Sequence, residues 1–247
     1  LMHELGDKLD LSAITVTGRP LCDSLKEAPN YNQDVIRPLS NPVYPEGSLA
    51  VLKGNLAPNG AVIKPAAMEP KFMRHRGPAL VADSYNDLKQ IINDPEATIT
   101  ADHVLILRNA GPQGGPGMPE WGMIPMPQRL LNEGHRDMVR LSDARMSGTS
   151  YGACILHVSP EAFVGGPLAL IKSGDMISLD VPSRSLNVEL TEDELAERRA
   201  AWVQPKPRYQ RGYGWIFSKH IEQADKGCDF DFLSTEFGEP VPEPDIN

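Results

Sequence analysis

The feature that most constrains the fold of this chain is the shortness of its apolar runs, each cut off by glycine, proline or asparagine. Residues 49–52, 61–64, 79–82, 103–107, 138–141 and 154–158 are all too short for a typical buried helix and rich enough in valine, isoleucine and leucine to form strands. With 23 prolines and 21 glycines among 247 residues, such breaks run through the whole sequence. The pattern predicts a sheet or barrel core, in a mixed α/β, β-rich fold with flanking helices.

A few segments read as helices. Ser84 is placed to cap one that holds Leu88, Ile91 and Ile92, with Asp87 three residues on, and residues 125–133 supply another. Residues 175–190 alternate, turn at Pro182-Ser-Arg-Ser185 and alternate again, which predicts a hairpin with one buried face. Thr191 and Glu194 form the ends of a capping box that opens a charged helix to about Ala201. Residues 204–215 resist regular structure, and residues 236–247 read as an acidic, mobile tail.

The opening has Leu1, Met2, Leu5 and Leu9 at helical spacing with no capping residue before them. It reads as the last turns of a helix that begins upstream, so the chain is expected to be a fragment of a longer protein. Residues 21–47, rich in proline, asparagine and charge, read as a connector. The expected division is 1–46 as upstream remnant and connector, 47–203 as the folded domain, and 204–247 as a tail.

A net charge of −9 opposes the gathering of polyanions, and no basic cluster interleaves with aromatics, so nucleic acid is not an expected partner. No stretch approaches the ~20 apolar residues of a membrane span and no signal segment opens the chain, which makes a soluble cytoplasmic protein the expectation. Cys22, Cys154 and Cys228 lie far apart, and none belongs to a CxxC pair. They indicate neither a disulfide framework nor a zinc site, and read as packing thiols.

Two polar loops carry candidate chemistry. Gly111-Pro-Gln-Gly-Gly-Pro-Gly-Met-Pro-Glu120-Trp121 follows an apolar run; its glycines let backbone approach a ligand, and Glu120 projects from it. On chemistry alone, a lone loop carboxylate is more often solvated than functional. The loop lacks the spacing of a phosphate cradle. The second loop, residues 141–152, holds Ser142, Asp143, Arg145, Ser147, Thr149 and Ser150, more hydrogen-bonding groups than a routine turn needs. Its Gly148-Thr-Ser150-Tyr-Gly152 formally fits a hydrolase nucleophile elbow, yet a polar stretch, not an apolar strand, leads into Gly148. His157 in a strand-like run, His135, and Met118, Met123 and Met126 around Trp121 read first as packing residues.

Taken in order, GNLAPNGAVIKP at 54–65, GPQGGPGMPEW at 111–121 and SDARMSGTSYGACILHVSPEA at 142–162 resemble the C-terminal half of the dihydroxy-acid, phosphogluconate and aldonic-acid dehydratases. The resemblance implies a swivelling β-barrel-like domain that closes over a site in an upstream N-terminal domain, which would carry a [2Fe–2S] cluster and most magnesium ligands. It implies Glu120 as a magnesium ligand, Ser147 as the base and Thr149 beside it against the substrate. It also implies a hydro-lyase, active only as part of the full-length protein and assembled as a homo-oligomer. None of the three cysteines matches a cluster-ligand motif, so the cluster is expected to be held outside this chain. PEW after GPGM, and SDARMSGT, resemble the branch acting on sugar acids. A branched-chain dihydroxy-acid substrate and a non-catalytic binding module remain alternatives.

Overall fold

A computed structural model describes residues 1–147 and 151–233. It separates into two compact units, residues 1–48 and the chain from Leu49 onward.

The first unit holds only two short helices, α1 (Met2–Leu5) and α2 (Leu21–Leu25). The helical spacing at the opening predicts more than is found. Gly6, in a left-handed conformation at φ 51°, ends α1; a 3-10 turn follows, and Leu9 is extended. Neither helix buries a residue. The unit is tied by polar contacts instead: the Asn30 side chain donates to Glu4 and to the Ile36 carbonyl, and Thr15 pairs with Arg19 across a tight turn.

The second unit contains β1 (Ala50–Leu52), β2 (Gly60–Ile63), β3 (Arg74–Ala82), α3 (Tyr85–Asn93), β4 (Val104–Leu107), α4 (Gln128–Asn132), β5 (Arg140–Ser142), β6 (Cys154–Ser159), β7 (Met176–Asp180), β8 (Ser185–Val188), α5 (Glu192–Ala201) and α6 (Tyr213–His220). The eight strands form one sheet in the order β1-β2-β6-β5-β4-β3-β7-β8. Its two edges meet where Lys53 donates to the Arg184 carbonyl and accepts from Leu186, each at 2.9 Å, so the sheet closes into a nearly complete barrel. Closure removes the unpaired edges that an open sheet would expose.

β4 shows how a short apolar run specifies this arrangement. All four of its residues are buried, because both faces are covered. Val104 and Ile106 point into the barrel with Leu52, Leu141 and Ile155. Leu105 and Leu107 point outward, where Leu88 and Ile92 of α3 and Leu130 of α4 cover them. The helix expected at 125–133 is the shorter α4, since the prolines before it give an extended entry. The caps at Ser84 and Thr191 form as their spacing predicts: Ser84 Oγ accepts from Asp87, and Thr191 and Glu194 complete a reciprocal capping box.

Residues 204–212 are irregular as expected, but Tyr213 to Trp215 begin α6, a correction to the irregular reading of 204–215. Beyond α6, Ile221 is buried, and Asp225 accepts from the Ser159 hydroxyl at the end of β6. No helix among the described residues is long and apolar enough to cross a membrane.

Candidate active site

Strands β3, β4, β5 and β6 run parallel, so their C-terminal ends open on the same end of the barrel. The loops leaving them bring the two glycine-rich segments of the sequence together. Crevices outside the carboxyl ends of parallel strands are the usual place for ligands in such sheets.

Two buried carboxylates organise these loops. Asp143 follows β5 directly; its carboxylate accepts from the backbone N–H of Asn109 at 3.2 Å, Ala110 at 3.0 Å and Ala162 at 2.9 Å. It therefore ties the exits of β4 and β6 to its own. Glu161, just past β6, accepts from the N–H of Gln113 and Gly114, each at 2.9 Å, and from the Gln223 side chain at 2.7 Å. The loop wraps this carboxylate so closely that a Cβ on Gly111 would lie 2.7 Å from Glu161 Oε2. Burial, and then the neighbouring Glu161 charge, push Asp143 up to about 7 against the pull of its three N–H donors. Burial likewise raises Glu161, opposed by Gly114, Gln113 and Gln223.

This raised value sets a pH signature. The folded-state pKa of Asp143 lies above its ordinary value of 3.8, so its contribution to stability is fully present below that value and is lost as pH rises through about 7. Asp143→Asn cannot titrate. Whatever its constant offset from the lost acceptor, the variant is expected to gain on the parent between about pH 4 and about pH 8. Thermal melts of both across that range check this; parallel curves would remove the titration.

On the rim, Arg145 joins the two loops. Its Nη1 donates to Glu120 Oε1 at 3.2 Å, its Nε donates to the Met118 carbonyl, and its own carbonyl accepts from Gly122 at 2.8 Å. Glu120 is about half-exposed. Next to it, Trp121 is stacked on Tyr85 at 6.0 Å between ring centres, and the Arg208 guanidinium lies 4.7 Å from its ring. Ser147, half-buried, stands two residues past Arg145. Thr149 and Ser150 lie outside the described residues. His157, read from sequence as packing, is half-buried with φ 53°, and its N–H donates to the Ala144 carbonyl. Burial first, then the Arg145 charge, lower its pKa.

Residues 34–228 match the family model for the dihydroxy-acid/6-phosphogluconate dehydratase C-terminal domain. The chain belongs to this family. Among dehydratase relatives, it is 52% identical over its whole length to the 6-deoxy-6-sulfo-D-gluconate dehydratase of Pseudomonas putida, covering 43% of that protein. It is 47% identical to the L-arabonate dehydratase of Azospirillum brasilense, with 93% of this chain and 40% of the relative aligned. A dihydroxy-acid dehydratase of Methanothrix thermoacetophila is 44% identical over 92% of the chain and 42% of its own length. The chain thus spans about two fifths of these dehydratases.

The cofactors expected of a dehydratase of this family can be tested against the side chains present. Among the described residues, no three His, Cys, Asp or Glu side chains converge on a point that would hold a metal. Glu120 offers one hard oxygen donor suited to magnesium, balanced by Arg145, and fits as a single member of a shared ligand set. None of the three thiols belongs to such a group among the described residues. Cys154 is buried, with its thiol pushed up to about 11 by burial, and it donates to the Tyr151 carbonyl. Burial also raises Cys228, and Cys22 belongs to the other unit.

Sequence reasoning passed over Glu161, Asp137 and Arg140. The Asp137–Arg140 ion pair is buried under the loop that carries Ser147. Its signal is weak in sequence, two charges three residues apart beside a strand.

Proposed function

We propose that this chain is the closing domain of a hydro-lyase that converts a 2,3-dihydroxy acid, an aldonic acid in the first instance, into a 2-keto-3-deoxy acid. The observation that carries the reading is the clamp made by Arg145, which holds the loop of Glu120 and the loop of Ser147 on one rim. The 6-deoxy-6-sulfo-D-gluconate and L-arabonate dehydratases among its relatives favour a sugar acid.

In this reaction Ser147 Oγ, as the alkoxide, takes the proton from C2 and passes it to the hydroxyl leaving C3, which departs as water, and the resulting enol tautomerises to the 2-keto acid. Magnesium, held with Glu120 among its ligands, would supply charge stabilisation at the C1 carboxylate as C2 loses its proton. The chain's own contribution is placement. Asp143 and Glu161 fix the backbone of both loops from below, while Arg145 fixes their rims and adds a positive charge on the strand-end loop that leads to Ser147. The other magnesium ligands and the iron–sulfur cluster belong, in this reading, to an upstream N-terminal domain. Thr149, outside the described residues, is a substrate-binding residue in this reading.

A second reading, a branched-chain dihydroxy acid as substrate, is favoured by the Methanothrix relative. Assaying the full-length protein on aldonates and branched dihydroxy acids for 2-keto acid formation separates the two. Preference for branched acids would overturn the subclass, and activity of the 247-residue chain alone would overturn the shared site. Glu120→Gln in the full-length protein is expected to weaken magnesium binding and turnover together, by about tenfold or more, because a neutral amide oxygen is a poorer partner for a hard cation. Unchanged magnesium affinity on titration would sink the assignment of Glu120.

A further inference from the structure

The segment that follows α6 is fastened to the strand ends at three points. The Gln113 side chain donates to the Ile221 carbonyl at 3.4 Å, the Ser159 hydroxyl donates to Asp225, and Gln223 meets Glu161. The last contact uses both ends of one amide. Gln223 Oε1 accepts from the Glu161 N–H at 2.9 Å, while its Nε2 donates to Glu161 Oε1 at 2.7 Å. Closing a ring in this way fixes the Glu161 side chain relative to its own backbone. Gln223 stands on a folded base, since a 3-10 turn at Ala224–Lys226 follows it and its carbonyl accepts from Lys226 and Cys228.

From Glu161 the connection to Glu120 runs through a short stretch of loop backbone. The carboxylate accepts from Gln113 and Gly114. Two turns then carry the chain to the rim: the Gly115 N–H donates to the Gly111 carbonyl and the Met118 N–H to the Gly115 carbonyl, each at 2.8 Å. Arg145 holds Met118 and Glu120 at the far end. The loop has little room to shift against the exit of β4, because a Cβ on Gly114 would lie 2.8 Å from the Asn109 carbonyl and one on Gly115 2.9 Å from the Ala110 oxygen.

We propose that Gln223 is a positioning residue for the dehydration reaction: it fixes the Glu161 carboxylate, and through it the loop that presents Glu120. The proposal rests on the reading of Glu120 as a magnesium ligand. An amide gives a donor to a carboxylate and an acceptor to an N–H at once, which neither a hydrocarbon nor an ionised acid can do. The titratable groups around the contact are Glu161 itself, Asp143, which feels the Glu161 charge, and Asp225, Cys228 and the Glu222–Lys226 pair on the segment of Gln223. Gln113, on the loop side, adds no charge. An acid placed at 223 among these carboxylates holds its proton above the ordinary range.

Two variants of the full-length protein test this. Gln223→Leu removes both hydrogen-bonding atoms at similar volume. It is expected to lower kcat about tenfold or more and to speed backbone amide exchange at Gln113 and Gly114 by a similar factor, measured where its circular dichroism matches the parent's. Gln223→Glu makes both contacts only while protonated. Its turnover and exchange, each as a ratio to the parent at the same pH, are expected to approach the parent's toward low pH and to depart by about tenfold as the new carboxyl ionises against Glu161. The deficit of Gln223→Leu does not shrink as pH falls, because the lost amide steadies the charged form of Glu161 against burial. A lower melting temperature alone, with turnover and exchange at 113–114 as in the parent, would overturn the proposal, since that is what a merely structural contact produces. So would pH profiles of the two variants that run parallel. The magnesium reading fails separately. If Glu120→Gln leaves magnesium affinity unchanged, that assignment is lost, while faster exchange in Gln223→Leu still supports Gln223 as the residue that positions the loop and unchanged exchange still overturns it.

Discussion

Ser147→Ala in the full-length protein is expected to lower turnover by about 10²–10⁴-fold, the usual cost of losing a positioned base, while magnesium binding persists. Both parts follow from what surrounds the residue. The strand-end loop leading to Ser147 is anchored at Asp143 by three backbone N–H groups and at Arg145 by the Glu120 and Met118 contacts, so removing one hydroxyl leaves those anchors in place. The substitution deletes one oxygen from a half-buried side chain and creates no large cavity. Loss of turnover would then report chemistry, not collapse of the loop. Two measurements check it: 2-keto acid formation, and a magnesium titration of parent and variant. Near-normal turnover would remove Ser147 from the mechanism. Turnover and magnesium affinity falling in step would make it a ligand instead of a base.

How far the sequence reveals this architecture depends on the range of the interactions that build each part. The hairpin of β7 and β8 and the box at Thr191 and Glu194 are readable because their determinants sit within a few residues of one another. β3 is only half readable. Residues 79–82 are apolar, but Arg74, His75, Arg76 and Pro78 do not look like a strand, and they become one by pairing with β7 from Arg74–Asp180 to Pro78–Met176. Arg74 also meets Asp180, and Arg76 meets Glu189, across more than a hundred residues of sequence. Edge-like polar strands of this kind are set by their partners, which no local pattern contains.

The same distinction governs the site. Glu120 and Ser147 stand out because they lie in conspicuous glycine-rich loops, and the expectation that those loops meet is carried by family resemblance. What holds them together is invisible locally: Glu161 acts on backbone N–H groups 47 and 48 residues earlier, and Gln223 reaches back 62 residues to the same carboxylate. Backbone donors carry no side-chain signature, so a buried acid that organises a loop reads in sequence like any other acid. α6 is hidden for another reason: glycines at 212 and 214 disguise its start, and it buries no residue that would set an apolar period.

Arg140→Met is expected to cost about 3–5 kcal/mol of stability, because it leaves the Asp137 carboxylate buried without its countercharge. Both side chains are almost fully enclosed, at 1% and 4% exposure. Arg140 Nη2 reaches Asp137 and the Tyr151 carbonyl, each at 3.1 Å, and its Nη1 reaches the Ile124 carbonyl at 3.0 Å. Asp137 in turn accepts from the N–H groups of Glu69, Met138 and Ala153. The pair therefore braces the far side of the loop that carries Ser147, where the chain re-enters β6. Gly152 shows how little slack remains: at φ 96°, a Cβ there would lie 1.9 Å from Arg140 Nη2. Arg140→Lys keeps the charge but loses the planar fork that serves several acceptors at once, so it is expected to recover only part of the loss. Asp137→Asn in the Arg140→Met background removes the stranded charge, and the double variant is expected to be more stable than the sum of the two single losses. Denaturant unfolding of the parent, both single variants and the double variant measures the coupling. Additivity within about 0.5 kcal/mol would mean that the two charges are braced by their backbone partners and not by each other.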